Sequence, residues 1–108
     1  MNSDSSSIPS LTQVDRLIHE PSRSVILAVL TAVNRADFLY LQRETGLTKG
    51  NLTVHLSKLE AAGYIKIEKT YRGKLPLTLC SITDQGNLAF ENYRHQLKQF
   101  LDLGKDNQ

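Results

Sequence analysis

Residues 47–67, LTKGNLTVHLSKLEAAGYIKI, change hydrophobic period at a single glycine, and that change limits the possible folds more than any other feature of the chain. Before Gly63, Leu52, Leu56 and Leu59 recur at the spacing of one helix face. After it, Ile65 and Ile67 alternate with Lys66 and Glu68, which is strand spacing. The segment therefore reads as a helix capped by Thr48, ended at Gly63 and running directly into a strand.

The flanking sequence extends this pattern on both sides. Leu11, Val14, Leu17 and Ile18 suggest a first helix, broken at Pro21. Val25, Ile26, Val29, Leu30 and Val33 predict a second over about 22–34, with Pro21 at its first turn. Asp37 caps a third that carries Phe38, Leu39 and Leu41 and stops at Gly46. Beyond Ile67, YRGKLP reads as a turn with Arg72, Gly73 and Lys74 at its tip, and LTLCSI as the returning strand. Thr83 caps a last helix of about twenty residues, on which Phe90, Tyr93, Leu97, Phe100 and Gly104 form a narrow apolar seam. The order is four helices, a β-hairpin and a long helix. This predicts a mainly α fold with a β-hairpin wing (α+β), a winged helix-turn-helix followed by a C-terminal dimerisation helix.

At 108 residues there is room for one small core. Residues 1–10 are polar and serine-rich and read as a disordered lead, 11–82 as the winged domain, and 83–108 as the dimerisation helix and tail. No run approaches a membrane span, no signal-peptide pattern is present, and the single cysteine, Cys80, suits a reducing cytoplasm. The net charge of +2 is unevenly spread. Residues 49–74 hold Lys49, Lys58, Lys66, Lys69, Arg72 and Lys74 against Glu60 and Glu68, whereas the segments on either side are slightly acidic. A basic patch of this kind attracts a polyanion.

Helical geometry assigns the 48–62 face. At about 100° per residue, Leu56 and Leu59 fall within about 40° of Leu52 and define the buried side. Lys49, Gly50, Asn51, Thr53, Val54, Ser57 and Lys58 lie on the far side or its flank, and His55 borders the buried stripe. Such a surface suits a DNA major groove. Asn51 can bond an adenine edge, Thr53 and Ser57 can reach bases or phosphates, and Val54 can meet a thymine methyl. Lys49 and Lys58 suit phosphates, as do Arg72 and Lys74 at the hairpin tip. Asn51 can instead support the Thr48 cap, and His55 reads as a packed histidine rather than a base reader.

The run DFLYLQRETGLTKGNLTVHLSKLEAAGYIKIEKTYRGKLP, followed by LTLCSITDQG, resembles winged helix-turn-helix transcriptional regulators of the MarR and ArsR kind, especially their small single-domain members. The resemblance runs from about Leu17 to Phe100 and is most specific in TGLTKGNLTVHLSKLEAAGYI. It implies a homodimer on an inverted-repeat double-stranded DNA site. By position, the contacts would come from Thr48, Lys49, Asn51, Thr53, Val54, Ser57 and Lys58, with Arg72 and Lys74 in the wing. Two departures stand out: Val54 replaces a residue that is often basic in relatives, and PLTLC replaces a basic wing strand. The seam of Phe90, Tyr93, Leu97, Phe100 and Leu101 offers more apolar surface than one small core needs, and Val14, Leu17 and Ile18 could complete a dimer interface.

Other classes have less support. No phosphate-binding glycine loop, paired-cysteine ligand set or nucleophile motif is present, so neither an enzyme nor a cofactor is expected. His19, His55 and His95 lack ligand spacing, and Cys80 reads as a small core residue rather than a redox switch. A winged helix that binds protein instead of DNA is the main alternative. A small-molecule effector is compatible with the sequence, but no residue set marks its pocket.

Overall fold

In a computed structural model, which describes residues 14–106, the chain runs α1 (Pro21–Val33), β1 (Arg35–Asp37), α2 (Phe38–Thr45), α3 (Lys49–Ala61), β2 (Ile65–Arg72), β3 (Leu75–Ile82) and α4 (Asp84–Asp106). The strands form one antiparallel sheet in the order β1-β3-β2. The expected fold class is present. The lead over 1–10, residues 11–13 of the expected first helix and the last two residues of the tail lie outside the described residues.

Three local expectations change. Over 14–20 the chain makes turns and no helix. The Asp15 carboxylate accepts from the backbone N–H groups of Leu17 (2.9 Å) and Ile18 (3.3 Å), and the Tyr64 hydroxyl donates to its other oxygen. A side chain that caps its own segment this tightly competes with helix propagation. In α1 the buried residues are Ile26, Leu27 and Leu30, whereas Val25 and Val33 remain exposed. That helix is apolar nearly all round, so packing volume rather than periodicity chose its inner face. Strand β1 was not expected at all. It is three residues long, and it pairs Arg35, Ala36 and Asp37 with Ser81, Cys80 and Leu79.

Local signals set the element ends. Glu20 caps α1 by accepting from Arg23 N–H (2.8 Å), with Pro21 at the start of the helix. Asp37 caps α2 through Tyr40 N–H (2.8 Å), and Thr48 caps α3 through Asn51 N–H (3.1 Å). Arg72 opposes Leu75, leaving Gly73-Lys74 as a two-residue turn. Gly73 has φ 63°, which a side chain at that hairpin position would resist.

The core gathers Ile18, Ile26, Leu27, Leu30, Leu41, Leu52, Leu56, Leu59, Ile65, Cys80, Phe90 and Tyr93. Each fully buried aliphatic side chain contributes roughly 1.5–3 kcal/mol. At the start of α4, Thr83 accepts from Gly86 N–H (2.9 Å) and donates to the Gly63 carbonyl (2.6 Å). This brings Gly86 so close that a Cβ there would lie 2.1 Å from the Tyr64 carbonyl oxygen. Gly86→Ala is therefore expected to lower stability by about 1–3 kcal/mol or more through overpacking, measured by urea unfolding. An unchanged midpoint would remove this contact from the account.

Cys80 is fully buried between β1 and the core. Burial first, then the Glu60 and Asp37 carboxylates, push its thiol from 9.0 up to about 11. The hydrogen bond to Asp15 first, then burial and the Asp15 charge, push the Tyr64 phenol from 10.0 up to about 12. In both cases the folded state holds its proton more tightly than the unfolded chain. The stability they contribute is present below about 9 and is lost as pH rises through about 11 and 12. Thermal midpoints are expected to fall above pH 9, and Cys80→Ala should flatten the lower part of that decline relative to wild type.

Candidate nucleic-acid interface

The leucine stripe of α3 fixes what the helix presents outward. Leu52, Leu56 and Leu59 are 0, 2 and 0% exposed. On the other side Thr48, Lys49, Gly50, Asn51, Thr53, Val54, Ser57 and Lys58 are all exposed. The side chains of Lys49, Asn51, Ser57 and Lys58 make no hydrogen bond or ion pair among the described residues. Asn51 supports the Thr48 cap with its backbone N–H alone, so its amide is left free to face outward.

One residue differs in detail from the sequence reading, and another agrees with it. Thr53 donates its hydroxyl proton to the Lys49 carbonyl one turn back (2.9 Å), which leaves its oxygen lone pairs and its methyl for outside contact. His55 is packed, as its position beside the stripe suggested. The Arg23 guanidinium lies 3.0 Å from His55 Nδ1 and also donates to the Leu17 carbonyl (2.6 Å). Because a guanidinium only donates, Nδ1 accepts and the ring proton sits on Nε2. This Arg23–His55 contact joins α1 to α3.

A cleft of about 610 Å³ separates the α2–α3 pair from the sheet. Lys49, Thr53 and Ser57 line one wall and Lys69, Ile67 and Pro76 the other. Lys69 belongs to the basic patch noted in the sequence but was not among the expected DNA contacts. Its signal was the strand register, since it shares a sheet face with the inward-packed Ile67 and so looks back toward α3. Arg72 and Lys74 are exposed at the wing end.

The expected partner seam is divided by the fold. Val14, Ile18, Phe90 and Tyr93 are at most 7% exposed because the chain's own core takes them, and Leu17 and Leu97 lean on that core. His19 Nδ1 lies 2.9 Å from the Tyr93 hydroxyl, tying α4 to the N-terminal turn. Phe100 and Leu101 remain exposed at 37 and 62%. So does Leu88, at 64%. No group of three potential metal ligands occurs among the described residues. No described helix is long and apolar enough to cross a membrane.

Two short helices joined by a tight turn, an outward-facing polar second helix and a basic hairpin beside it define a winged helix-turn-helix of the nucleic-acid-binding kind. Residues 23–101 match the winged helix DNA-binding domain family, and the chain belongs to it. It is 34% identical over 84 residues to an uncharacterized protein of Methanocaldococcus jannaschii, covering 78% of this chain and 91% of that one. It is similar in structure to a transcriptional regulator homologue from Pyrococcus horikoshii, with TM-score 0.77 and 31% identity over 82% of this chain and 87% of the other. A PadR-family transcriptional regulator from Eggerthella lenta shares the fold, with TM-score 0.65 and 20% identity over 79% and 82% of the two chains.

The free Asn51 amide and the free Lys58 ammonium are expected to separate in their effects. Asn51→Ala should relax base preference at one position of the bound sequence, by about 1–3 kcal/mol. Lys58→Ala should weaken binding to every duplex and reduce the salt slope by about 1. Fluorescence anisotropy against a duplex panel at several salt concentrations distinguishes the two; a uniform loss for Asn51→Ala would remove it as a base reader.

Proposed function

We propose that the protein is a sequence-specific, double-stranded DNA-binding transcriptional regulator that acts as a homodimer on an inverted repeat. In this reading α3 enters the major groove, with Asn51, Val54 and Ser57 toward base edges and Thr48, Thr53, Lys49 and Lys58 toward the flanks and phosphates. The wing over 71–76, through Arg72 and Lys74, lies along the minor groove or backbone. The observation that carries this reading is the outer face of α3, where the exposed side chains of Lys49, Asn51, Ser57 and Lys58 have no hydrogen-bond or ion-pair partner among the described residues. Repression is the favoured outcome, because a bound dimer needs only to occlude the polymerase.

Two uncovered apolar helix faces support the dimer. Phe100 and Leu101 project from the far half of α4, and Val25, Ala28, Ala32 and Val33 line an exposed face of α1. A single domain reads too few base pairs for useful specificity, whereas a two-fold dimer doubles the contacts. Phe100→Glu with Leu101→Glu is expected to give monomers by sedimentation, with folding retained because neither side chain belongs to the buried core. A variant that stays dimeric would remove this part of α4 from the interface.

One observation favours a second reading, a winged helix that docks on protein: Tyr71 and Leu75, near the wing tip, are each 70% exposed. Selection from a random duplex library at near-physiological salt decides between the two. Recovery of an inverted repeat with half-sites about 10 base pairs apart is expected for the DNA reading. Failure to enrich any motif would transfer support to the protein-docking reading.

A further inference from the structure

The sheet has a second face whose chemistry the DNA reading does not use. The strand register places Arg35, Leu75, Leu77, Leu79 and Arg72 on the side opposite Ala36, Ile67 and Cys80. Leu77 and Leu79 are half-buried without joining the core, and Leu75 is exposed. A depression of about 520 Å³ lies here, bordered by β1, by Tyr40 and Arg43 of α2, and by Arg72 of the wing.

The lining is unbalanced in charge. Arg35, Arg43 and Arg72 all border the depression, all are exposed, and none is in an ion pair among the described residues. The one carboxylate present, Asp37, already accepts from Tyr40 N–H (2.8 Å) as the cap of α2. Three guanidiniums against the one Asp37 carboxylate leave a net positive charge around an apolar floor, which favours an anion that their paired N–H groups can grip. The volume lies within the range of small-molecule sites.

We propose that this depression binds a small organic anion, with a carboxylate or phosphate monoester head held by Arg35, Arg43 and Arg72 and an apolar body lying on Leu77 and Leu79. The consequence for regulation rests on the DNA-binding reading given above. Arg72 serves both the anion and the wing, so an occupied depression withdraws that guanidinium from the DNA backbone.

The test uses isotope-labelled full-length protein titrated with phenyl phosphate at constant ionic strength, followed by amide NMR shifts. Saturable shifts are expected to centre on Arg35–Asp37, Tyr40, Arg43 and Leu77–Leu79. Arg35→Gln with Arg43→Gln should raise the Kd at least about tenfold, the loss of charge-assisted hydrogen bonds. Inorganic phosphate, which lacks the apolar body, should bind more weakly than phenyl phosphate. Shifts that do not saturate, that centre on Lys49 and Lys58, or that persist unchanged in the double variant would overturn the site. Shifts produced at Arg35 and Arg43 by duplex DNA but not by phenyl phosphate would also overturn it, assigning the arginines to a backbone phosphate. Anisotropy with a selected duplex is a separate readout: saturating phenyl phosphate should raise the DNA Kd of wild type and leave that of the double variant unchanged. Absence of any duplex binding would sink the DNA reading while leaving the NMR result intact.

Discussion

Burial of Leu52, Leu56 and Leu59 is the constraint on which the rest of the molecule depends. Three leucines on one stripe of a thirteen-residue helix leave α3 only one rotation about its axis that keeps them dry. That rotation fixes which side chains face outward. Arg23, held between the Leu17 carbonyl and His55, fastens the flank of the same helix to α1. The polar face is thereby held in place while the side chains of Lys49, Asn51, Ser57 and Lys58 keep their hydrogen-bonding groups free of partners among the described residues, the preorganised state that recognition of a fixed partner requires.

A second constraint sets the position of α4. Its first turn lies almost against the Tyr64 carbonyl at Gly86, and Thr83 and Tyr64 join that turn to the end of α3 and to Asp15. The junction between recognition helix and wing is therefore also the point from which the long helix departs. Phe90 and Tyr93 follow within the next turns and close the core. Past Leu97 the helix leaves the domain and exposes Phe100 and Leu101. Any partner that holds that far end is mechanically linked, through rigid elements, to the orientation of α3.

The sheet serves two environments. Its inner face completes the core with Ile65, Ile67 and Cys80 and, further out, turns Lys69 toward the α3 cleft. Its outer face carries leucines and unpaired guanidiniums around a separate depression. Strand alternation alone generates this division, because neighbouring residues must point to opposite sides. The departures in the wing sequence become meaningful in this light. PLTLC supplies fewer cations to the wing and, in their place, Leu77 and Leu79 to the outer face.

Much of the molecule was legible in the sequence because its signals are local. The period change at Gly63, the caps at Asp37, Thr48 and Thr83, and the hairpin turn at Gly73 depend on residues only a few positions apart. The outer face of α3 followed from helical geometry as soon as its leucines were recognised. Tertiary structure decided the rest wherever several outcomes were locally equivalent. Leu27 took a core position in place of Val25 and Val33 because α1 is apolar nearly all round, so only packing could select its inner side. Asp15 made a capped turn rather than a helix because its carboxylate also serves Tyr64, 49 positions away. Strand β1 exists because β3 offered an edge to Arg35–Asp37, a pairing no three-residue pattern can announce. Phe90 and Tyr93 went to the core, and Phe100 and Leu101 to the surface, because α4 outruns the domain it packs on, a matter of length against a core that only the folded chain defines.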